Sequence, residues 1–292
     1  MTIVHPPPDV ERAESLELRP AMEAAPTGGR WTSHAGRAAS SVAWAALGAA
    51  VLVGFWAFIA SRAGDLPTPA ESWTALSELL KQPFADRGPN DKGIGLQLVL
   101  SLKRVFLGFG LAALVGVPLG CLLGGSKRAW KAANPIVQVL RPVSPLAWFP
   151  IGLVAFQDPP RAAVFVIFIT SLWPTVINTA VGAASVPIDH RNVAKVFRFG
   201  RFAYLRHVLV PHTLPSVVTG LRLSMGIAWM VIVAVEMLSG GTGIGFFVWD
   251  SYNTSNLPNV TAAIIAIGVV GFVLDTLFVR LHRKVGLEEV RP

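Results

Sequence analysis

Long charge-free runs alternate with short basic segments along this chain. A helix needs about 20 apolar residues to cross the roughly 30 Å hydrocarbon core of a bilayer, and six runs approach that length. Residues 41–60, 106–124, 134–156, 162–184, 216–236 and 261–281 are expected to form spans one to six. Span three is interrupted by Pro142, Pro145 and Pro150, and span four holds Pro174. A proline inside a span needs neighbours to satisfy the carbonyls it frees, so these two are expected in packed or cavity-lining positions.

The segments between the runs carry their own patterns. The first 40 residues contain Pro6-Pro7-Pro8, mixed charges and little apolar periodicity, and are expected to be a disordered tail. A secretory signal would place its apolar core nearer the start, so the first run is read as a retained span. In 61–93, Thr68-Pro69-Ala70-Glu71 has the form of a capping box with proline at the first helical position. Trp73, Leu76, Leu80 and Phe84 follow at helical spacing, predicting a short amphipathic helix that lies in the membrane interface or packs on the bundle. In 186–215, Pro187 and Asp189 can start a helix with Val193, Val196 and Phe197 on one apolar face, and Gly200 offers its stop. A second short helix is expected through Tyr204, Leu205 and Val208 until Pro211. Two such helices form either a knob for a soluble partner or an ordinary solvated loop.

Charge sets the orientation. Arg12, Arg19, Arg30 and Arg37, then Lys127, Arg128, Lys131 and Arg141 belong to one side. So do Arg191, Lys195, Arg198, Arg201 and Arg206, and finally Arg280, Arg283, Lys284 and Arg291. Only Arg62, Lys81, Arg87, Lys92 and Arg161 fall in segments on the other side, while Lys103, Arg104 and Arg222 lie at or inside spans. The positive-inside bias therefore predicts both termini in the cytoplasm.

Composition agrees with lipid as part of the solvent. Among 292 residues 52% are hydrophobic and 14% charged, and the mean hydropathy of +0.54 exceeds that of an ordinary soluble domain. The same inside bias accounts for the net charge of +8 without nucleic acid. A single cysteine, Cys121, allows no intrachain disulfide, and His190, His207 and His212 lack metal-ligand spacing. No phosphate-binding G-x-x-x-x-G-K-[ST] occurs, so any ATP chemistry belongs to another polypeptide. No nucleophile–base set suggests an enzyme, and no cofactor is expected.

Small residues recur every fourth position at Gly108, Ala112, Gly116, Gly120 and Gly124 in span two, and at Ser216, Gly220, Ser224 and Ala228 in span five. Such stripes let helices approach closely, either within one chain or between copies. Arg222 and Asp275 lie at matching depth in spans five and six, and are candidates for an intramembrane ion pair. Glu236 ends span five, and Lys103 with Arg104 begin span two at the same membrane face. These cations either anchor the helix end or draw an anion towards the mouth. Trp148, Trp173, Trp229 and Trp249 read as packing or interface residues.

Several stretches resemble one family. Asn192-Val193-Ala194-Lys195-Val196, Arg206-His207-Val208-Leu209-Val210-Pro211, Leu214-Pro215 and Thr219-Gly220-Leu221-Arg222 resemble the "EAA" loop of ABC-importer permeases. Leu66-Pro67-Thr68-Pro69 and Ser101-Leu102-Lys103-Arg104-Val105 are similar to the nitrate/sulfonate/taurine/bicarbonate group of these binding-protein-dependent permeases. The run from Leu140 to Trp148, Gly243-Ile244-Gly245-Phe246-Phe247-Val248-Trp249-Asp250 and the Asn192-Val193-Ala194 variant look closest to the nitrate branch. Two departures stand out. The usual Glu-Ala-Ala is Asn192-Val193-Ala194, and the loop glycine aligns with Arg198, two residues before Gly200.

The resemblance implies an all-α integral membrane protein of type I importer architecture, with six transmembrane helices over 41–292 and a coupling loop at 186–215. Asn192, Val193, Ala194, Lys195, Val196, Arg198, Gly200 and Pro211 would then meet cytoplasmic ABC ATPase subunits. A periplasmic or lipid-anchored binding protein would deliver substrate, and a second permease copy would complete the path across the bacterial inner membrane. Nitrate is the implied substrate, with bicarbonate, cyanate and alkylsulfonates such as taurine as alternatives. A stand-alone secondary anion transporter is the contrasting class; it would favour internal repeats and mid-membrane carboxylates.

Overall fold

The computed structural model describes residues 32–88 and 91–284, with side chains from 43 to 283. By its internal contacts the chain divides after Phe55. The first unit holds the described part of helix α1 (Thr32–Ala63) up to Phe55, and the second unit begins at Trp56. Of the tail expected over 1–40, residues 1–31 lie outside the described residues, and from Thr32 onward the chain is helical.

After α1 come α2 (Pro69–Leu79), α3 (Ile94–Gly125), α4 (Lys127–Leu140), α5 (Pro145–Phe156) and α6 (Pro159–Ala184). Then follow α7 (Ile188–Val196), α8 (Arg201–Tyr204), a π turn (Leu205–Leu209), α9 (Val210–Ser239), α10 (Ile244–Asn253) and α11 (Leu257–Lys284). Five helices are long and apolar enough to cross a bilayer; α4 and α5, bent by 94° at their junction, make a sixth if counted as one span. Span three is thus broken. Pro142 and Pro145 fit the break: neither can donate to the ladder, and Ser144, before Pro145, is extended at ψ 132°, while Arg141, before Pro142, is still helical.

α3 and α6 run parallel, from what is called here the far end towards the loop end that bears α7; α9 runs back. The span-two stripe seats α3 on α6. A Cβ at position 108 would stand 2.7 Å from Ile167, and one at 116 would stand 2.9 Å from Thr175. Only small residues permit that approach. The span-five stripe faces α6 as well: Ser224 Oγ lies 2.7 Å from Thr175 Oγ1 and donates to the Ser171 carbonyl at 2.8 Å. Both stripes are spent on packing within the chain. Val166, Ile167, Ala228, Ile232 and Val235 complete the buried centre.

The capping box at Thr68 closes with both reciprocal bonds, Glu71 N–H to Thr68 Oγ1 and Thr68 N–H to Glu71 Oε2. The buried face of α2 differs from the expected one. Ser72 and Leu76 turn inwards, with Ser72 Oγ 2.6 Å from Thr261 Oγ1 on α11, while Trp73, Leu80 and Phe84 stay exposed. A hydroxyl pair across the helices decides the register, which apolar spacing alone does not carry. Beyond α2, Lys92 donates to Asp86 at 2.6 Å and holds that carboxyl below its usual range.

Candidate functional site

At the loop end, α7 begins after Pro187 with Asp189 in its first turn and ends with Lys195 in its last, charges that suit the helix dipole. Its end is a Schellman motif. Phe199 N–H donates to the Ala194 carbonyl at 2.9 Å, and Arg198 N–H to the Lys195 carbonyl at 3.0 Å. The motif needs a left-handed residue between them, and Arg198 supplies it at φ 50°. This is the position where the resemblance puts a glycine. Gly200, expected as the stop, instead has φ −63° and caps α8.

The motif sorts the apolar residues into two sets. Ala194 is buried and, with Phe199, Val208 and Pro211, lines a cavity of about 360 Å³. Val193 borders the same cavity yet is 51% exposed, while Val196 and Phe197 lie outside it and are 78% and 68% exposed, alongside exposed Asn192 and Lys195. The second expected helix does not stop at Pro211. It runs on through the π turn into α9, giving one helical stretch Arg201–Ser239. An i→i+5 bond from Val210 N–H to the Leu205 carbonyl precedes Pro211, so the proline sits where the ladder has already been offset.

Arg198→Gly should relieve the left-handed strain, which costs a non-glycine residue about 1–2 kcal/mol, less the chain entropy that glycine adds in the unfolded state. Amide exchange at Phe199 is expected to slow severalfold; faster exchange would contradict this account of the turn.

Deeper along α9, Arg222 meets Asp275 of α11 through a fork, Nε to Oδ1 at 2.7 Å and Nη2 to Oδ2 at 2.8 Å. Both side chains are about half exposed, so in lipid each charge depends on the other. Exchanging them (R222D with D275R) should restore transport and folded yield lost in either single variant. No gain over the singles would remove the pair's significance. The His190 and His212 rings are 6.4 Å apart, and among the described residues no three potential metal ligands converge.

The far end holds a cluster that the sequence reading did not bring together. Gln97, Ser101 and Arg104 occupy one face of α3 at a spacing of four and three, turned towards the Gly240–Gly243 turn that joins α9 to α10. Glu236, fully buried, accepts from Ser101 Oγ at 2.7 Å, from Arg104, and from Gly245 N–H at 3.1 Å. Gln97 Oε1 takes Gly243 N–H at 2.6 Å and Ser101 Oγ takes Ile244 N–H at 2.9 Å. The first amides of α10, which no helical carbonyl can satisfy, are thereby bound to α3 and α9. Arg104 also grips the Thr242 carbonyl at 2.6 Å and its hydroxyl at 2.9 Å. Gly243, at φ 125°, lies so close to the Glu236 carboxylate that no side chain would fit. Glu236 and Arg104 are therefore partners in a clamp between helices rather than separate helix-end anchors. The available signal was an acid ending span five just before a Gly-Gly-Thr-Gly turn, with a cation one helical face away from polar neighbours.

Known proteins share this chain's sequence and fold. A nitrate import permease from Synechocystis is 46% identical over 241 residues, 82% of this chain and 88% of that protein. A bicarbonate transport system permease from Synechococcus elongatus is 45% identical over 229 residues, 77% and 82% of the two. A solved chain of the MetNI methionine ABC transporter in an inward-facing form shares the fold, with a TM-score of 0.59 at 15% identity over 66% of this chain and 95% of that one. Residues 116–287, from the last third of α3 past the end of α11, match the model of the binding-protein-dependent transport system inner membrane component. A bundle of spanning helices, a capped α7 knob between spans and this match together make the chain a multi-pass inner-membrane permease, a member of the binding-protein-dependent transport system inner membrane component family.

Proposed function

We propose that this permease forms the path for a small inorganic anion, nitrate, in an ATP-driven importer, with its loop end in the cytoplasm. The observation that carries the mechanism is the α7 knob. Three apolar side chains stand exposed beside Lys195, on a helix end fixed by six residues of hydrogen-bonded turn, while Ala194 and Phe199 tie the same segment to the start of the α9 stretch. A partner that grips Val193, Val196 and Phe197 therefore pulls directly on a spanning helix, because α8, the π turn and α9 are one continuous helical stretch. ATPase subunits that close and open on ATP are the partner of this chemistry, and the surplus of Lys and Arg at this end supports the cytoplasmic placement. A second copy of the permease completes the path, and a binding protein on the other side hands over the anion.

Nitrate is supported by the nitrate permease relative, and the bicarbonate relative at nearly the same identity supports the second reading. The permease, reconstituted with its ATPase subunits and binding protein, is expected to show ATP hydrolysis stimulated by nitrate above bicarbonate and taurine. Stimulation by bicarbonate alone would replace nitrate as substrate and leave the coupling scheme standing.

A further inference from the structure

Beside the buried clamp, α3 and α6 leave a groove of about 770 Å³ between them, outside the transport scheme above. Leu107, Leu111 and Val115 line it on α3 and are 52%, 48% and 44% exposed, with Phe168 on the α6 side. Its far end is cationic: Lys103 and Arg161 both line it and both are exposed. Arg104 reaches the same place but is committed to Glu236 and Thr242. Lys103 has no salt bridge among the described residues, and Arg161 has only a loose one, 3.6 Å from exposed Asp158.

Length and charge together select the occupant. From position 103 to 115 a helix rises about 18 Å, close to the roughly 15 Å of hydrocarbon in one leaflet. With the cations at head-group level, the apolar walls would run the depth of the acyl chains below them. We propose that this groove binds an anionic phospholipid, its phosphate at Lys103 and Arg161 and an acyl chain along Leu107, Leu111 and Val115. A zwitterionic lipid fills the same apolar walls but leaves the two cations without net countercharge, so the site discriminates by head group.

The test is native mass spectrometry of the full-length permease taken from bilayers of phosphatidylglycerol and phosphatidylcholine in equal parts. Phosphatidylglycerol should be retained in preference, and K103Q with R161Q should reduce that preference on the order of five-fold per cation removed. K103R with R161K should keep it, which separates lost charge from a damaged fold. Equal retention of both lipids by the natural protein, or an unchanged preference in the glutamine variant, would overturn the proposal. A second copy of the chain is the competing occupant. A nitroxide on L111C, in a C121S background, should be open to lipid-phase oxygen; dipolar broadening from the same position in another copy would assign the groove to a protein interface instead.

Discussion

Replacing Arg104 with methionine is expected to cost the folded permease about 3–5 kcal/mol, the usual penalty for stranding one charge of a buried pair. Glu236 is fully buried, and its remaining partners, Ser101 and Gly245 N–H, are neutral. Arg104 also holds Thr242, so its loss frees the Gly240–Gly243 turn and with it the start of α10. The readout is folded yield and melting temperature in detergent, where a drop of several degrees and a large loss of yield are expected. Adding Glu236→Gln removes the stranded charge and should recover a substantial part, because a neutral amide can still accept from Ser101. If the double variant were no better than R104M, the ion pair would not be what makes Arg104 necessary.

Val196→Asp with Phe197→Asp is expected to abolish ATP-driven uptake while leaving the permease inserted and folded. Burying a large apolar side chain against a partner contributes about 1.5–3 kcal/mol, so losing two weakens the ATPase grip by at least a hundred-fold before the cost of buried carboxylates is added. Reversing the charges at Lys195 and Arg198 acts in the same direction with a smaller effect, since exposed ion pairs contribute only about 0.2–1 kcal/mol. Val196 and Phe197 are both exposed in the isolated chain, so the aspartates should not disturb its own core. Co-purification of the ATPase with the permease and uptake into vesicles read the two consequences separately. Retention of both would move the docking site off α7.

The spanning helices were legible because lipid forces long apolar runs, and the charges that end them are visible in one dimension. Lys103 and Arg104 mark where the charge-free run begins, yet the helix that carries it starts earlier, at Ile94, and Arg104 is paired with a carboxylate 132 residues away in the chain. A contact that distant leaves no periodicity to read. Pro211 misled for a related reason: its stop signal assumes an α ladder, and the π turn before it shifts that ladder by one residue. Arg198 shows the opposite case. The resemblance places it on a glycine, and its φ of 50° lies in the left-handed region that glycine adopts most readily. The exposed set on α7 could be read from spacing; its contrast with buried Ala194 required the turn.

This chain is expected to move an anion only when a separate ATPase drives it through the α7 knob. Uptake of labelled nitrate and of bicarbonate should be measured in liposomes holding the permease alone, and then with ATPase subunits, binding protein and ATP added. Uptake confined to the complete system, and lost with the V196D/F197D variant, is the predicted result. Uptake by the permease polypeptide alone, driven by an ion or anion gradient, would contradict the account and make the chain a self-sufficient transporter.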